Sequence, residues 1–173
     1  NMDLRVDEPM SRHTSFRVGG PAALMALPKT VEEAQACIKT AVSLGVEPFF
    51  LGNGSNLLVP DEGVQRFLIK PVPGLNQIVR DGNTITAGSG VTLARLAMFA
   101  RDNDLTGLEF AHGIPGTIGG GVYMNAGAYG GELSGVIESV EVMDFDGNVR
   151  RLTGEEMDFS YRHSRLEEEG GIV

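Results

Sequence analysis

The sequence predicts an α+β fold, in which strand hairpins and helix-joined strands are mixed without regular alternation. Three observations carry that expectation. A capped amphipathic stretch spans 30–44, short apolar runs are bounded by Gly, Asn and Pro, and two hairpin patterns surround Asp81-Gly82-Asn83 and Asp146-Gly147. The chain has 173 residues, 42% of them hydrophobic. That suffices for one core, or for two small subdomains sharing one. The break at Pro71-Val72-Pro73-Gly74 predicts subdomains 1–72 and 73–173, and no internal repeat is visible.

Each element has its own signal. Thr30 with Glu33 is a capping box, Ala34, Cys37, Ile38, Ala41 and Leu44 form a helical stripe, and Gly45 is a natural stop. Cys37 therefore belongs to the buried face. Pro48 to Leu51 reads as a strand running into Gly52-Asn53-Gly54-Ser55-Asn56, with Leu57-Leu58-Val59 a second strand ended by Pro60. Phe67-Leu68-Ile69 is a further strand. Gln77–Arg80 and Thr84–Ala87 form the first hairpin. Thr92 caps a helix carrying Leu93, Leu96, Ala97 and Ala100 on one face. Ile137–Phe145 and Asn148–Leu152 form the second hairpin, and Thr153 with Glu156 predicts a short capped helix. Glu167 to Gly171 reads as a charged loop. Ile172-Val173 looks like the first residues of a strand, which leads us to expect a longer protein.

Bulk properties narrow the function. The net charge is −9 and the pI about 4.8. Such a surface repels phosphate backbones, so nucleic-acid binding is not expected, and an anionic cofactor would need local donors. One cysteine allows no internal disulfide and points to a reducing compartment. No apolar run approaches the roughly 18 residues of a membrane span. The N-terminus lacks a secretory pattern, and Asn1 ahead of Met2 reads as an addition. The expected location is cytoplasmic. No His/Cys/Asp cluster has metal-ligand spacing, so no metal is expected. A monomer is favoured.

Two glycine loops carry the chemistry. Gly52-x-Gly54 after a strand invites a dinucleotide-fold reading, but the third glycine of that fingerprint would fall on Leu57, and Pro60 blocks a long helix. What remains is a turn whose backbone N–H groups, Ser55 hydroxyl and Asn side chains form an anion-binding nest, or else an ordinary Asn/Gly/Ser turn. From Gly113 to Gly131, eight glycines in nineteen residues stand among Ile, Val, Met and Tyr. Flexible linkers are polar, whereas this segment carries apolar anchors and reads as backbone packed closely against a phosphate-bearing cofactor. Pro115 suits a first helical position, and Thr117-Ile118-Gly119-Gly120 would open a short helix with free N–H groups. A glycine-rich packing turn is the plainer alternative.

These motifs resemble the UDP-N-acetylenolpyruvoylglucosamine reductase family of flavoenzymes, which makes UDP-N-acetylmuramate for peptidoglycan. The matching stretches are Thr14-Ser15-Phe16-Arg17-Val18-Gly19-Gly20-Pro21-Ala22, Leu51 to Asn56, Gly113 to Glu132, and Tyr161-Arg162-His163-Ser164, in family order along the whole chain. The resemblance implies the two-subdomain FAD-binding fold of the vanillyl-alcohol oxidase type. It implies that both glycine loops hold the FAD pyrophosphate. Gly52, Asn53, Gly54, Ser55 and Asn56, with Ile114, Pro115, Gly116, Thr117, Gly119 and Gly120, are the implied FAD contacts. Asn125, Gly127 and Ala128 would lie near the flavin, held noncovalently. Arg162 matches the family's active-site arginine, and NADPH and a UDP-sugar are the implied co-substrates.

The chemistry suits an arginine. Hydride arrives at C3 of the enolpyruvyl group, charge develops through C2 onto the carboxylate, and a planar guanidinium can hold both oxygens. Without the resemblance, a surface ion pair with Glu167–Glu169 would be the simpler reading of Arg162. Two departures stand out. His13 replaces the family's usual Asn, and the family's serine proton donor and glutamate belong to a downstream domain, so this chain alone is expected to be inactive. A stand-alone flavin- or nucleotide-binding module, or another oxidase of the same fold, would share the loops. His112 and His163 carry no expected role.

Overall fold

The computed structural model describes residues 2–173 and divides into two compact units. The first comprises Asn1–Leu75 with Phe145–Gly147, and the second Asn76–Asp144 with Asn148–Val173. The division falls three residues beyond the break expected at 72/73.

In the first unit, β1 (Asp3–Pro9), β2 (Pro21–Leu27), α1 (Val31–Ser43), β3 (Pro48–Phe50) and β4 (Val64–Ile69) follow in order. The sheet order is β1-β2-β4-β3. β1 pairs antiparallel with β2, whereas β4 pairs parallel with both β2 and β3. α1 is the connection that allows β2 and β3 to run the same way. Its N-terminus is built as expected, with Glu33 N–H donating to Thr30 Oγ1 at 3.2 Å. The Glu33 carboxylate reaches back one residue further, accepting from Lys29 N–H at 2.7 Å. Ala34, Cys37, Ile38 and Ala41 are buried, but Leu44 is 73% exposed. Leu44 is the C-cap, where the chain has already turned off the helical face. Met10, Ala22, Met25, Leu27, Leu51, Val59 and Leu68 form this unit's core cluster.

The Thr14–Gly20 stretch is folded onto the loop that follows β3. Thr14 Oγ1 donates to Val18 C=O at 2.8 Å, Gly20 N–H to Pro60 C=O at 2.9 Å and Ser15 N–H to Gly54 C=O at 3.1 Å. The expected strand at Leu57–Val59 is absent. The carbonyls on either side of it, Gly54 and Pro60, are the ones bonded to the Thr14–Gly20 stretch, and within it only Val59 is buried while Leu58 is 77% exposed.

The second unit begins with the hairpin β5 (Ile78–Asp81) and β6 (Thr84–Ala87), turning at Gly82-Asn83. Next come α2 (Leu93–Asp102), a 3-10 turn at Glu109–Gly113, and α3 (Ile118–Tyr123). The two-residue strands β7 (Gly127–Ala128) and β8 (Gly131–Glu132) follow, then β9 (Ser139–Met143), β10 (Val149–Thr153) and α4 (Leu166–Glu169). Its core gathers Leu93, Ala97, Ala111, Val122, Leu133, Val140, Val142, Leu152, Met157 and Leu166.

Several expectations are corrected here. Pro115 precedes the N-cap Thr117 and lies outside α3. The Thr153/Glu156 box forms reciprocally, at 2.8 and 3.2 Å, but closes one turn with no helix behind it, because the chain leaves through Asp158 at φ 49°. Glu167–Glu169 lies in α4, not in a loop. Ile172 does pair as a strand residue, exchanging two backbone hydrogen bonds with Met143 at 2.8 and 2.9 Å.

Burial pushes the Cys37 thiol up to about 11, with the Glu33 charge adding to it. The raised value leaves about a hundredfold less thiolate at neutral pH than an ordinary thiol would have. Iodoacetamide should therefore label Cys37 very slowly in the folded protein and rapidly in denaturant. Mass spectrometry of the alkylated peptide checks this, and equal rates would contradict the burial.

Candidate functional site

The loop after β3 leaves its donors unspent. Leu51 N–H still joins the sheet, donating to Ile69 C=O at 3.0 Å. Beyond it, the amides of Gly52, Asn53, Gly54, Ser55 and Asn56 donate to no group among the described residues, nor do the side chains of Asn53, Ser55 and Asn56. Gly54 is buried at φ +62°, and a Cβ there would collide with the carbonyl oxygen of His13. A glycine is therefore required both by conformation and by close approach. This array sits at the C-terminal ends of a parallel strand pair, where α/β sheets place ligands.

The second glycine segment is used differently. The expected free amides at the start of α3 are not free. Ile118 N–H donates to Val91 C=O at 2.8 Å, Gly119 N–H to Ser89 C=O at 2.9 Å, and Gly120 N–H to Thr117 Oγ1 at 3.4 Å. An antiparallel bridge between Thr92 and Thr117 brings those acceptors in. Gly116 and Thr117 keep the amides that donate to nothing among the described residues. A Cβ on Gly119 would meet Ser89 Cβ at 3.0 Å, so this glycine permits packing against Ser89; Gly120 faces open space apart from Thr117 Oγ1 at 3.7 Å. Ile114 is half-buried and Pro115 exposed. Ser89 Oγ, overlooked in the sequence, is a buried hydroxyl with no hydrogen-bond partner among the described residues.

Gly127 and Ala128 pair with Gly131 and Glu132 in a hairpin turned by Tyr129 (φ 53°) and Gly130 (φ 83°), two left-handed residues as such tight turns require. Tyr129 is 97% exposed at its tip. Asn125 is buried and fully engaged. Its Nδ2 donates to Ser160 C=O at 3.0 Å, and its Oδ1 accepts from Ser134 N–H at 2.9 Å.

That contact joins the glycine segment to the turn bearing Arg162. Ser160 and His163 exchange two backbone hydrogen bonds at 3.2 Å, with Tyr161 and Arg162 between them. Arg162 has φ 54°, a position where glycine would be cheaper by roughly 1 kcal/mol or more. Ser164, fully buried, donates to Tyr123 C=O at 2.8 Å and pins the turn's other side. Arg162 is exposed and forms no ion pair among the described residues. Glu167 is taken by His163, and Glu169 by Arg150 and Arg165. The surface ion pair expected of Arg162 without the resemblance is not formed among the described residues.

Among the described residues, no group of three His, Cys, Asp or Glu could hold a metal, and no helix is long and apolar enough to cross a membrane. The concavity of the second unit lined by Ser134, Ile137, Glu138, Thr153, Gly154, Glu155, Asp158 and Phe159 carries three carboxylates and no cation, which suits no diphosphate.

A protein that presents a row of unused backbone donors beyond a parallel strand pair, with a second glycine-rich segment, has the parts of a nucleotide-cofactor binder. Residues 22–153 match the FAD binding domain family, and the chain belongs to that family. Its relatives sharpen the match. The UDP-N-acetylenolpyruvoylglucosamine reductases of Clostridioides difficile (strain 630) and Clostridium perfringens (strain SM101 / Type A) are 42% and 46% identical over 171 residues, 99% of this chain and 56% of theirs. The chain thus spans about half the length of the curated relatives it matches. The corresponding reductase from Thermus caldophilus superposes with a TM-score of 0.81 at 37% identity, covering 100% of this chain and 59% of that one. 4-Ethylphenol oxidase from Gulosibacter chungangensis shares the fold, with a TM-score of 0.65 at 19% identity over 91% of this chain and 33% of that one. The vanillyl-alcohol-oxidase-type architecture expected from the sequence is the one found.

Asn125→Ala should cost about 1–3 kcal/mol of stability in chemical denaturation, since a buried side chain loses two hydrogen bonds, one to Ser160 C=O and one from Ser134 N–H. Backbone amide exchange at 160–163 should rise with it. A stability change within error would show the bridge to be weak.

Proposed function

We propose that this chain is the FAD-binding portion of an NADPH-dependent reductase that converts UDP-N-acetylglucosamine enolpyruvate to UDP-N-acetylmuramate. The observation that carries the reading is the loop Gly52–Asn56, where five consecutive amides have no protein acceptor and Gly54 admits no side chain. Such an array suits a diphosphate, whose oxygens accept from every donor. Bound FAD would carry hydride from NADPH to the enolpyruvyl carbon.

The chain's own residues supply binding and charge. Gly52, Asn53, Gly54, Ser55 and Asn56 take phosphate oxygens. Gly116 and Thr117 offer their remaining amides, and Ser89 Oγ, hidden beside Gly119, has a hydroxyl proton to give. Ile114, Pro115, Gly119 and Gly120 shape the backbone there, while Gly127 and Ala128 lie toward the flavin. Arg162 holds the substrate carboxylate through two N–H groups and stabilises the charge that collects there. The strained turn and the Asn125 bridge keep the guanidinium presented without a competing carboxylate. Cofactor attachment is noncovalent, in keeping with a lone thiol buried on α1. The acid that completes the reaction and the remaining substrate contacts belong to sequence outside this chain. The protein works in the cytoplasm as a monomer.

The protein carrying this chain should purify yellow, or take up FAD when it is added. Absence of flavin absorbance after incubation would overturn the reading. Gly54→Val should weaken FAD binding at least about tenfold, measured by fluorescence quenching, because Val would demand the space of the His13 carbonyl.

Arg162→Ala should lower substrate reduction by about 10²–10³-fold while flavin reduction by NADPH stays within about threefold, and Arg162→Lys should not restore the loss. Stopped-flow measurement of the two half-reactions decides this. Equal damage to both would remove the arginine from its role.

A further inference from the structure

We propose that Glu8, His13 and Lys70 form a buried hydrogen-bond chain that holds the Gly52–Asn56 loop in place, with the Lys70 ammonium donating to His13 Nδ1 and His13 Nε2–H donating to Glu8. The loop's role in binding FAD rests on the function proposed above; the chain's effect on the loop does not. All three residues are at least nine-tenths buried. His13 Nε2 lies 2.8 Å from Glu8 Oε1, and Lys70 Nζ lies 3.2 Å from His13 Nδ1. Three ionisable side chains are costly to bury, and none of them belongs to the sheet's apolar packing.

Their placement explains the cost. Lys70 directly follows β4, whose last residue, Ile69, accepts from Leu51 N–H; Gly52 follows Leu51. Lys70 and the glycine loop therefore leave neighbouring parallel strands at the same end. His13 supplies the other side of the contact. Its carbonyl occupies the space a Gly54 side chain would need, and Ser15 N–H, two residues on, donates to Gly54 C=O at 3.1 Å. Fixing both ring nitrogens of His13 fixes the backbone on which Gly54 is seated.

Glu8 is also met by Arg5 Nη1 at 3.2 Å and Arg12 Nη1 at 4.0 Å, so it stays a carboxylate and needs a donor, not a second acceptor, on the ring. The His13 hydrogen bond, ahead of Arg5, holds its carboxyl below the usual range. An ammonium on Lys70 then places a positive charge at the strand ends where the unpaired amides collect, in a chain of net charge −9. These are positioning residues; they reach the cofactor through the loop.

The test uses the protein that carries the full chain, labelled with 15N. Imidazole 15N shifts should show His13 protonated on Nε2 and bare on Nδ1. Lys70→Met should leave the proton on Nε2, which Glu8 still requires, and shift the Nδ1 resonance as its hydrogen bond is lost. His13→Phe, which keeps ring volume and removes both nitrogens, should speed exchange of the Ser15 amide about tenfold or more. His13→Gln, which offers one acceptor and one donor, should restore most of it. If His13→Phe does not fold, the Ser15 exchange rate is read in Lys70→Met. FAD affinity should fall about tenfold in His13→Phe and return in His13→Gln. A proton on Nδ1 in the unaltered protein, or Ser15 exchange unchanged in the variants, would overturn the proposal. Failure of the unaltered protein to bind FAD would instead overturn the flavin reading, while the tautomer and the exchange rates would still decide this one.

Discussion

The structure depends on keeping five backbone donors unspent at the end of β3. Buried or half-buried amides normally find acceptors, and a loop in which none do is held by something else. Here the holding is done from outside the loop. Leu51 hands its amide to β4, the Thr14–Gly20 stretch takes the Gly54 and Pro60 carbonyls, and the His13 backbone bars any side chain at Gly54. The loop gives its Gly54 carbonyl to the fold and leaves its five amides without an acceptor among the described residues. An acidic protein can bind a dianionic group on those terms, because attraction is supplied at short range where the summed field is weak.

The second unit follows the opposite economy. The amides of Ile118, Gly119 and Gly120 are absorbed by Val91, Ser89 and Thr117, and its glycines mainly permit close packing. Its Tyr161–Arg162 turn is held from two sides by Asn125 and Ser164 across long stretches of sequence. A guanidinium on a free loop would be drawn to one of the nearby glutamates. Glu167 pairs with His163 and Glu169 with Arg150 and Arg165, and Arg162 forms no ion pair among the described residues.

Much of this was legible in the residues. The α1 and α2 caps at Thr30 and Thr92 and the β5–β6 turn at Gly82 rest on local chemistry and appear as expected. The dinucleotide fingerprint fails at Leu57, and the loop before it is an irregular turn with unpaired amides and no helix behind it. What misled were patterns whose meaning is set elsewhere. Leu57–Val59 has strand composition but joins no ladder, because the chain on either side of it, at Gly54 and Pro60, is tied to the Thr14–Gly20 stretch. Thr153 and Glu156 make their capping box with no helix to cap. The start of α3 has a helix signature, yet where its amides point follows from the Thr92–Thr117 bridge, which no local window contains. Lys70 did leave a trace, a cation set directly after the apolar run Phe67–Ile69, but its meaning needs Glu8 and His13 beside it.

One feature of the first loop bears on how the protein ages. Asn53 is followed by Gly54, whose nitrogen is hydrogen-bonded to nothing among the described residues. Succinimide formation needs that kind of nitrogen to attack the preceding asparagine amide. Its products, aspartate and isoaspartate, would set a carboxylate among the five unpaired amides of the loop.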